Sequence, residues 1–178
     1  MSEPLTVRPY LEVASTPGLQ GQIDAIFFES SNKKSFESEV ARAAFRERWL
    51  GRYLEHDPRY AYLAFAGGDV VGYLVGAVDD PALASRFADI EYFAVLGDLT
   101  KQFPAHLHVN IAPEFRNRGI GGRLIDRFVA DAKAAGAPGV HVVTSAGAPN
   151  VSFYNRNGFS EIARAGKGGQ LVFLGRRL

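Results

Sequence analysis

The chain has 178 residues, 47% of them hydrophobic, with 13 Phe and 7 Tyr, which is the size and composition of one globular domain and not of a disordered polymer. A formal charge of +1 lacks the basic stripe of a nucleic-acid binder, so any anionic ligand must be held by local geometry. With no cysteine, disulfides, thiolate metal sites and a cysteine nucleophile are excluded, and the four histidines lack zinc-motif spacing on a helix, so no metal is expected.

Met1–Tyr10 carries Glu3, Pro4, Arg8 and Pro9 and has no apolar core, so it does not read as a signal peptide. No apolar run is long enough to cross a bilayer, and the expectation is a cytoplasmic protein that contacts neither membrane nor nucleic acid. Alternation over Leu5–Val13 predicts a first strand. Thr16-Pro17 reads as a helix start, a hydroxyl cap followed by a residue that needs no amide partner, with Leu19, Ile23, Ile26 and Phe27 at helical spacing. A second helix is expected over Phe36–Tyr53, with Phe36, Val40, Ala44, Phe45 and Trp49 on one face and Asp57-Pro58 stopping it.

Arg59–Ala66 and Val70–Val78 read as strands joined at Gly67-Gly68-Asp69, a hairpin signal. Ala82–Pro104, aromatic and acidic, reads as short helices or a lid. Its Asp89, Glu91, Tyr92 and Phe93 suit a cationic or aromatic ligand, although an acidic run is more often a solvated face. Ala105–Ala112 is again a strand. Gly119–Ala135 is the clearest helix, with Ile120, Leu124, Phe128 and Ala132 four apart and Gly136 as its stop. Val140–Thr144 reads as a strand, Asn150 as the cap of a short helix ending at Asn157-Gly158, and Phe159–Arg164 with Gln170–Leu174 as a last strand pair. The order is mixed α/β in a single domain over 1–178, hairpins first and a βαβ crossover later.

The chemistry concentrates in His106-Leu-His-Val-Asn-Ile-Ala-Pro-Glu-Phe-Arg-Asn-Arg-Gly-Ile-Gly-Gly122. A strand ends, Pro113 breaks it, a basic loop follows, and Gly119, Ile120, Gly121 and Gly122 open a helix. The first amides of a helix have no partner within it and the macrodipole places positive charge there. With Arg116, Asn117 and Arg118 beside glycines that admit a close approach, this is an anion site. A Walker loop would need Gly-Lys-Ser/Thr, and a dinucleotide fingerprint would need a glycine where Leu124 stands, so neither fits.

Arg116-x-x-Gly119-x-Gly121 matches the Arg/Gln-x-x-Gly-x-Gly/Ala signature of the GNAT family of N-acetyltransferases, and Asn150-Val-Ser-Phe-Tyr154-Asn-Arg-Asn-Gly158-Phe159 resembles its tail motif. The strand at His106–Asn110 and Pro138-Gly-Val-His141 further resemble the bacterial acetyltransferases related to the acetyltransferase-like domain of O-GlcNAcase. The resemblance implies a mostly antiparallel mixed sheet, flanked by helices and splayed between the strands at Ala105–Ala112 and Val140–Thr144. It also implies acetyl-CoA as cosubstrate, its pyrophosphate on Arg116–Gly122 and its pantetheine arm against the backbone near Val109 and Ile111, with Asn150 and Tyr154 near the thioester. The acceptor would be an amine of a small molecule or peptide; family members are often homodimers, which the sequence leaves open.

Acetyl transfer to an amine needs an acid for the departing thiolate and a route for the amine proton. Tyr154 is placed by the resemblance to be that acid, its reference pKa of ~10 being close to a thiol's ~8.5. His106, His108 and Asn110 share one strand face, opposite Leu107, Val109 and Ile111. His108 is the candidate base, with a titration range suited to neutral pH, or else a satisfied structural histidine. Glu29 is a more distant candidate, and His141 reads as structural. Where many family members carry a carboxylate this chain has Asn110, which keeps open a second reading, a non-catalytic acyl-CoA sensor.

Overall fold

The computed structural model describes residues 4–178; residues 1–3, and with them the start of the Met1–Tyr10 stretch, lie outside the described residues. The chain forms two compact units, one of residues up to 76 with 108–128, the other of 77–107 with 129–178.

In the first unit, β1 (Thr6–Pro9) is shorter than the expected Leu5–Val13 strand and gives way to a helical turn, α1 (Tyr10–Val13). Pro9 accounts for the break, since it brings no amide to continue a ladder. The next helix, α2 (Leu19–Ser30), starts after Gly18 at φ 77° and not at Thr16-Pro17, which lie in the preceding turn. Its Leu19, Ile23, Ile26 and Phe27 are buried, as their spacing predicts.

The expected Phe36–Tyr53 helix is three pieces. α3 (Glu39–Arg46) is capped by Ser38, whose hydroxyl accepts from the Ala41 amide at 3.1 Å. Glu47–Gly51 form a π turn, closed where the Arg52 amide donates to the Glu47 carbonyl, and α4 (Arg52–His56) follows. The Arg52 guanidinium spans that turn to the Glu47 carboxylate at 3.0 and 2.8 Å. No continuous apolar stripe survives: Val40 is 80% exposed, while Leu50 and Tyr53 are fully buried. β2 (Ala61–Ala66) and β3 (Asp69–Ala77) form the expected hairpin, with Gly67 and Gly68 at φ 60° and 90° as a primed two-residue turn requires. Arg59 and Tyr60, expected to open the strand, lie instead with Pro58 in a single 3₁₀ turn.

In the second unit, the segment 82–104 holds short helices, α5 (Glu91–Val95) and α6 (Gly97–Thr100). It is core rather than lid, because Phe87, Ile90, Phe93, Leu96 and Phe103 are all buried, while Asp89 and Glu91 are exposed to solvent. β4 (Ala105–Ile111) is followed by α7 (Ile120–Ala134) and the parallel strand β5 (Gly139–Ser145), registered at Ala105↔Val140 and His106↔His141. Ile120, Leu124, Phe128 and Ala132 on α7 are buried as expected. Gly136 at φ 84° ends the helix, with the Ala137 amide reaching back to the Ala132 carbonyl. α8 (Asn150–Arg156), β6 (Ser160–Ala165) and β7 (Leu171–Arg177) complete the chain, β7 lying antiparallel between β5 and β6. Strand order is β1-β2-β3-β4-β5-β7-β6, with β4 and α7 running through both units. No helix among the described residues is long and apolar enough to cross a membrane.

Candidate functional site

The anion turn begins where β4 ends. Its last strand bond runs from the Ala112 amide to the Val71 carbonyl, and Pro113–Phe115 then make one 3₁₀ turn. Arg116 is extended and its Nε donates to the Ile111 carbonyl at 3.1 Å; Arg118 Nη2 donates to the Glu114 carbonyl at 2.9 Å and its guanidinium lies 5.0 Å from the Phe115 ring centre. Both arginines are exposed, and among the described residues neither is paired to a carboxylate, so their charge is oriented without being neutralised. Asn117 (φ 61°) and Gly119 (φ 76°) are left-handed, and Asn117 is the one non-glycine so held among the described residues. A Cβ at Gly119 would meet nothing within 4 Å. The first helical bond of α7 runs from the Arg123 amide to the Gly119 carbonyl, so the amides of Ile120, Gly121 and Gly122 belong to the turn a helix cannot satisfy internally. This set of groups fits a pyrophosphate: amides, open approach and two free positive charges on one loop.

The polar row on β4 divides between the units. In the second, His106 is buried edge-on to Phe87, tilted against Phe93 and stacked on His141 at 5.4 Å. Its Nδ1–H donates to the Pro104 carbonyl, and that of His141 to the Phe103 carbonyl. Both histidines are therefore built into the aromatic core, as expected for His141. In the first unit, His108 is half-buried, edge-on to Trp49 and Tyr53, with the Tyr53 hydroxyl 3.3 Å from its Nε2. These apolar surroundings disfavour the charged ring and push its pKa down to about 4. The imidazole is thus neutral at pH 7, and its titration range is not the near-neutral one expected from sequence. Glu29 lies exposed near the end of α2.

Asn110, also in the first unit, donates through Nδ2 to the Tyr73 hydroxyl at 2.7 Å. Tyr73 is fully buried, which raises its phenol well above the ordinary value; the Asn110 hydrogen bond and Arg46 act downward, Asp24 upward. Asp24 and Arg46 are themselves paired at 2.7 Å. Val109 and Ile111 are half-buried on the opposite face, and Ile111 packs so close to β3 that a Cβ at Gly72 would come within 2.5 Å of its Cδ1. The backbone near Val109 and Ile111 and the Arg116–Gly122 turn belong to the same unit as His108.

Asn150 and Tyr154 belong to the second unit. Asn150 is the first residue of α8 and not its cap; its Oδ1 accepts from the Thr144 hydroxyl at 2.9 Å. Tyr154 is 6% exposed, edge-on to Phe153 and Phe159, and burial raises its phenol well above the ordinary value. Trp49, Tyr53 and Tyr73 were not singled out as site residues from sequence. The signal for Tyr73 was a hydroxyl inside an otherwise apolar strand, which needs a partner once buried.

The sequence profile of the acetyltransferase (GNAT) family matches residues 25–159, and the chain belongs to that family. Among solved structures, SsHAT is 23% identical with a TM-score of 0.76, covering 97% of this chain and 98% of that one. Ribosomal-protein-alanine N-acetyltransferase from Brucella melitensis is 21% identical with a TM-score of 0.63, over 97% and 99%. PaiA N-acetyltransferase from Thermoplasma acidophilum, solved with coenzyme A, is 15% identical with a TM-score of 0.60, over 98% and 99%. At these identities the likeness is one of fold, an α/β fold with a mixed seven-stranded sheet flanked by helices.

Proposed function

We propose that this chain is an acetyl-CoA-dependent N-acetyltransferase, acting as one domain on an amine of a small molecule or peptide. The observation that carries it is the Arg116–Gly122 turn, with two guanidinium groups that no described carboxylate neutralises and an open approach at Gly119. Arg116, Asn117, Arg118, Gly119, Ile120, Gly121 and Gly122 would hold the pyrophosphate, and backbone near Val109 and Ile111 the pantetheine arm, with Asn150 toward the thioester. Acetyl-CoA supplies an activated acyl carbon. The amine nitrogen attacks that carbon, the C–N bond forms, the C–S bond breaks, the nitrogen loses one proton and the departing thiolate takes one.

Tyr154 is the proposed donor to the thiolate. Burial keeps the phenol protonated across neutral pH but widens the gap to the thiol expected from sequence, so the proton passes only as negative charge develops on the departing sulfur beside it. His108 is the proposed acceptor of the amine proton. An imidazole at about 4 cannot draw a proton from a free ammonium of pKa ~8, so the amine must arrive neutral. Once the C–N bond forms the nitrogen is far more acidic, and a neutral imidazole, directly or through water, can take the proton. Within the family, the proposed branch is that of the bacterial enzymes resembling the acetyltransferase-like domain of O-GlcNAcase, on the likeness of His106–Asn110 and Pro138–His141 to them.

The depressed His108 and the uncharged Asn110 favour a second reading, an acyl-CoA sensor without turnover. Calorimetric titration with acetyl-CoA, CoA and ATP, followed by a thiol-release assay over an amine panel, separates the two. Micromolar binding of both CoA species, much weaker ATP and amine-dependent thiol release are expected. Binding without release supports the sensor, and no acetyl-CoA binding at millimolar concentration overturns both readings.

A further inference from the structure

A carboxamide has a donating end and an accepting end, and what holds one decides what the other offers. At Asn110 one N–H of the donating end is taken: Nδ2 is 2.7 Å from the Tyr73 hydroxyl. That hydroxyl is a fixed anchor, because Tyr73 is fully buried and its backbone is registered opposite Leu63 on β2. With Nδ2 held on Tyr73 and no hydrogen bond to Oδ1 among the described residues, the side-chain carbonyl of Asn110 has acceptor capacity to spare, and Asn110 itself is only half-buried. Alternation along β4 sets it on the face of His108, and the Trp49 and Tyr53 rings that meet His108 come from the π turn and α4. Aromatic rings, a neutral imidazole and a carboxamide come together at this end of the strand, with the Asp24–Arg46 pair within electrostatic reach of Tyr73. The two charges of that pair offset each other, and the burial that keeps the His108 ring uncharged also disfavours an ammonium ion relative to a neutral amine.

We propose that Asn110 touches the acceptor amine, its side-chain carbonyl accepting one N–H of the neutral nucleophile, and that Tyr73 is the positioning residue that fixes the carboxamide in this orientation. The inference rests on the transferase reading above. Accepting an N–H leaves the nitrogen lone pair free and limits the directions in which it can point. A carboxylate here would instead pair with the ammonium form and hold the proton that must leave.

The test uses Asn110→Leu, Asn110→Asp and Tyr73→Phe in the full chain, with steady-state kinetics on the best amine of the panel and calorimetric titration of acetyl-CoA. Asn110→Leu is expected to raise the amine KM about tenfold, the worth of one ordinary hydrogen bond, with the acetyl-CoA Kd unchanged. Asn110→Asp keeps oxygen acceptors in the same place, and the Tyr73 hydroxyl can turn to donate to them, so its amine KM is expected to stay within about threefold of the parent. Tyr73→Phe is expected to raise the amine KM as Asn110→Leu does, again without moving the acetyl-CoA Kd; a purely structural role would instead lower the melting temperature and leave the KM alone. The proposal is overturned if the amine KM of Asn110→Asp rises as far as that of Asn110→Leu, since the carboxamide then offers N–H and not oxygen. It is also overturned if the amine KM of Asn110→Leu is unchanged, or if the acetyl-CoA Kd rises in step with it. A parent protein that binds acetyl-CoA but acetylates no amine overturns the transferase reading and this inference together, whereas an active parent with an indifferent Asn110→Leu variant overturns this inference alone.

Discussion

Gly119 offers the sharpest separation of backbone from ligand effects. Its φ of 76° costs any residue with a Cβ about 1–2 kcal/mol, yet a Cβ there meets nothing within 4 Å. Gly119→Ala should therefore fold and melt about 2–8 °C lower, the shift that such a strain produces in a chain of this length. The added methyl group also projects into the open approach to the helix amides. Losing one charge-assisted hydrogen bond, worth about 1.5–3 kcal/mol, would weaken acetyl-CoA binding about ten- to a hundredfold. Gly119→Asn divides the two effects, because asparagine tolerates the left-handed region, as Asn117 already does at φ 61°. Its melting temperature should recover most of the loss while its affinity stays low. Scanning fluorimetry and calorimetric titration on the same preparations read both quantities. If Gly119→Asn binds acetyl-CoA as tightly as the parent, the glycine serves only the turn; if Gly119→Ala does too, the anion does not sit there.

Tyr154→Phe should cut turnover at least about a hundredfold with little change in acetyl-CoA Kd; equal turnover removes Tyr154 from the chemistry. His108 titrates near ~6.5 when unfolded and at about 4 when folded, so between those values the unfolded chain binds more protons. Stability from this group is present above pH 6.5 and is lost as pH falls toward 4, by at most about 3 kcal/mol, and His108→Gln should flatten that limb in denaturant titrations from pH 7.5 to 5. An unchanged limb would place the acid sensitivity elsewhere. Gly139→Ala would bring a Cβ within 2.6 Å of Phe103 Cδ1 and 2.8 Å of the Gln102 carbonyl, so it should destabilise by about 1–3 kcal/mol. A melting temperature equal to the parent's would show that this backbone gives way freely.

Local chemistry that acts through one or two residues was legible in the sequence. Gly67-Gly68, Gly136 and Gly158 all adopt the positive φ that their turn and stop assignments require, and the four-residue spacing on α7 gave its buried face. The anion turn was readable for the same reason, since Arg116, Arg118 and the glycines are contiguous. What failed depended on competition or on distance. Thr16-Pro17 has good start chemistry, but Gly18 at φ 77° resets the backbone and the helix begins at Leu19. Phe87, Phe93 and Phe103 follow no period because each sits in a separate short turn, so a core segment was legible only as helices or a lid. The pKa of His108 and the anchoring of Asn110 come from Trp49, Tyr53 and Tyr73, residues far away in the chain whose arrival at β4 no spacing rule announces.

The π turn at Glu47–Gly51 holds one residue more than an α-helix would use for the same advance. Removing a single residue from it, Arg48 for example, would let α3 run into α4 as one regular helix and improve the helix considered alone. The same deletion would turn everything beyond it by roughly 100° relative to α3, one residue's rotation at 3.6 per turn. Either Phe45 would leave Phe27 and Phe36, or Trp49 and Tyr53 would leave His108. The irregular turn therefore works as a phase corrector: it lets one stretch of chain serve two packing surfaces whose angular positions no uninterrupted helix could satisfy together.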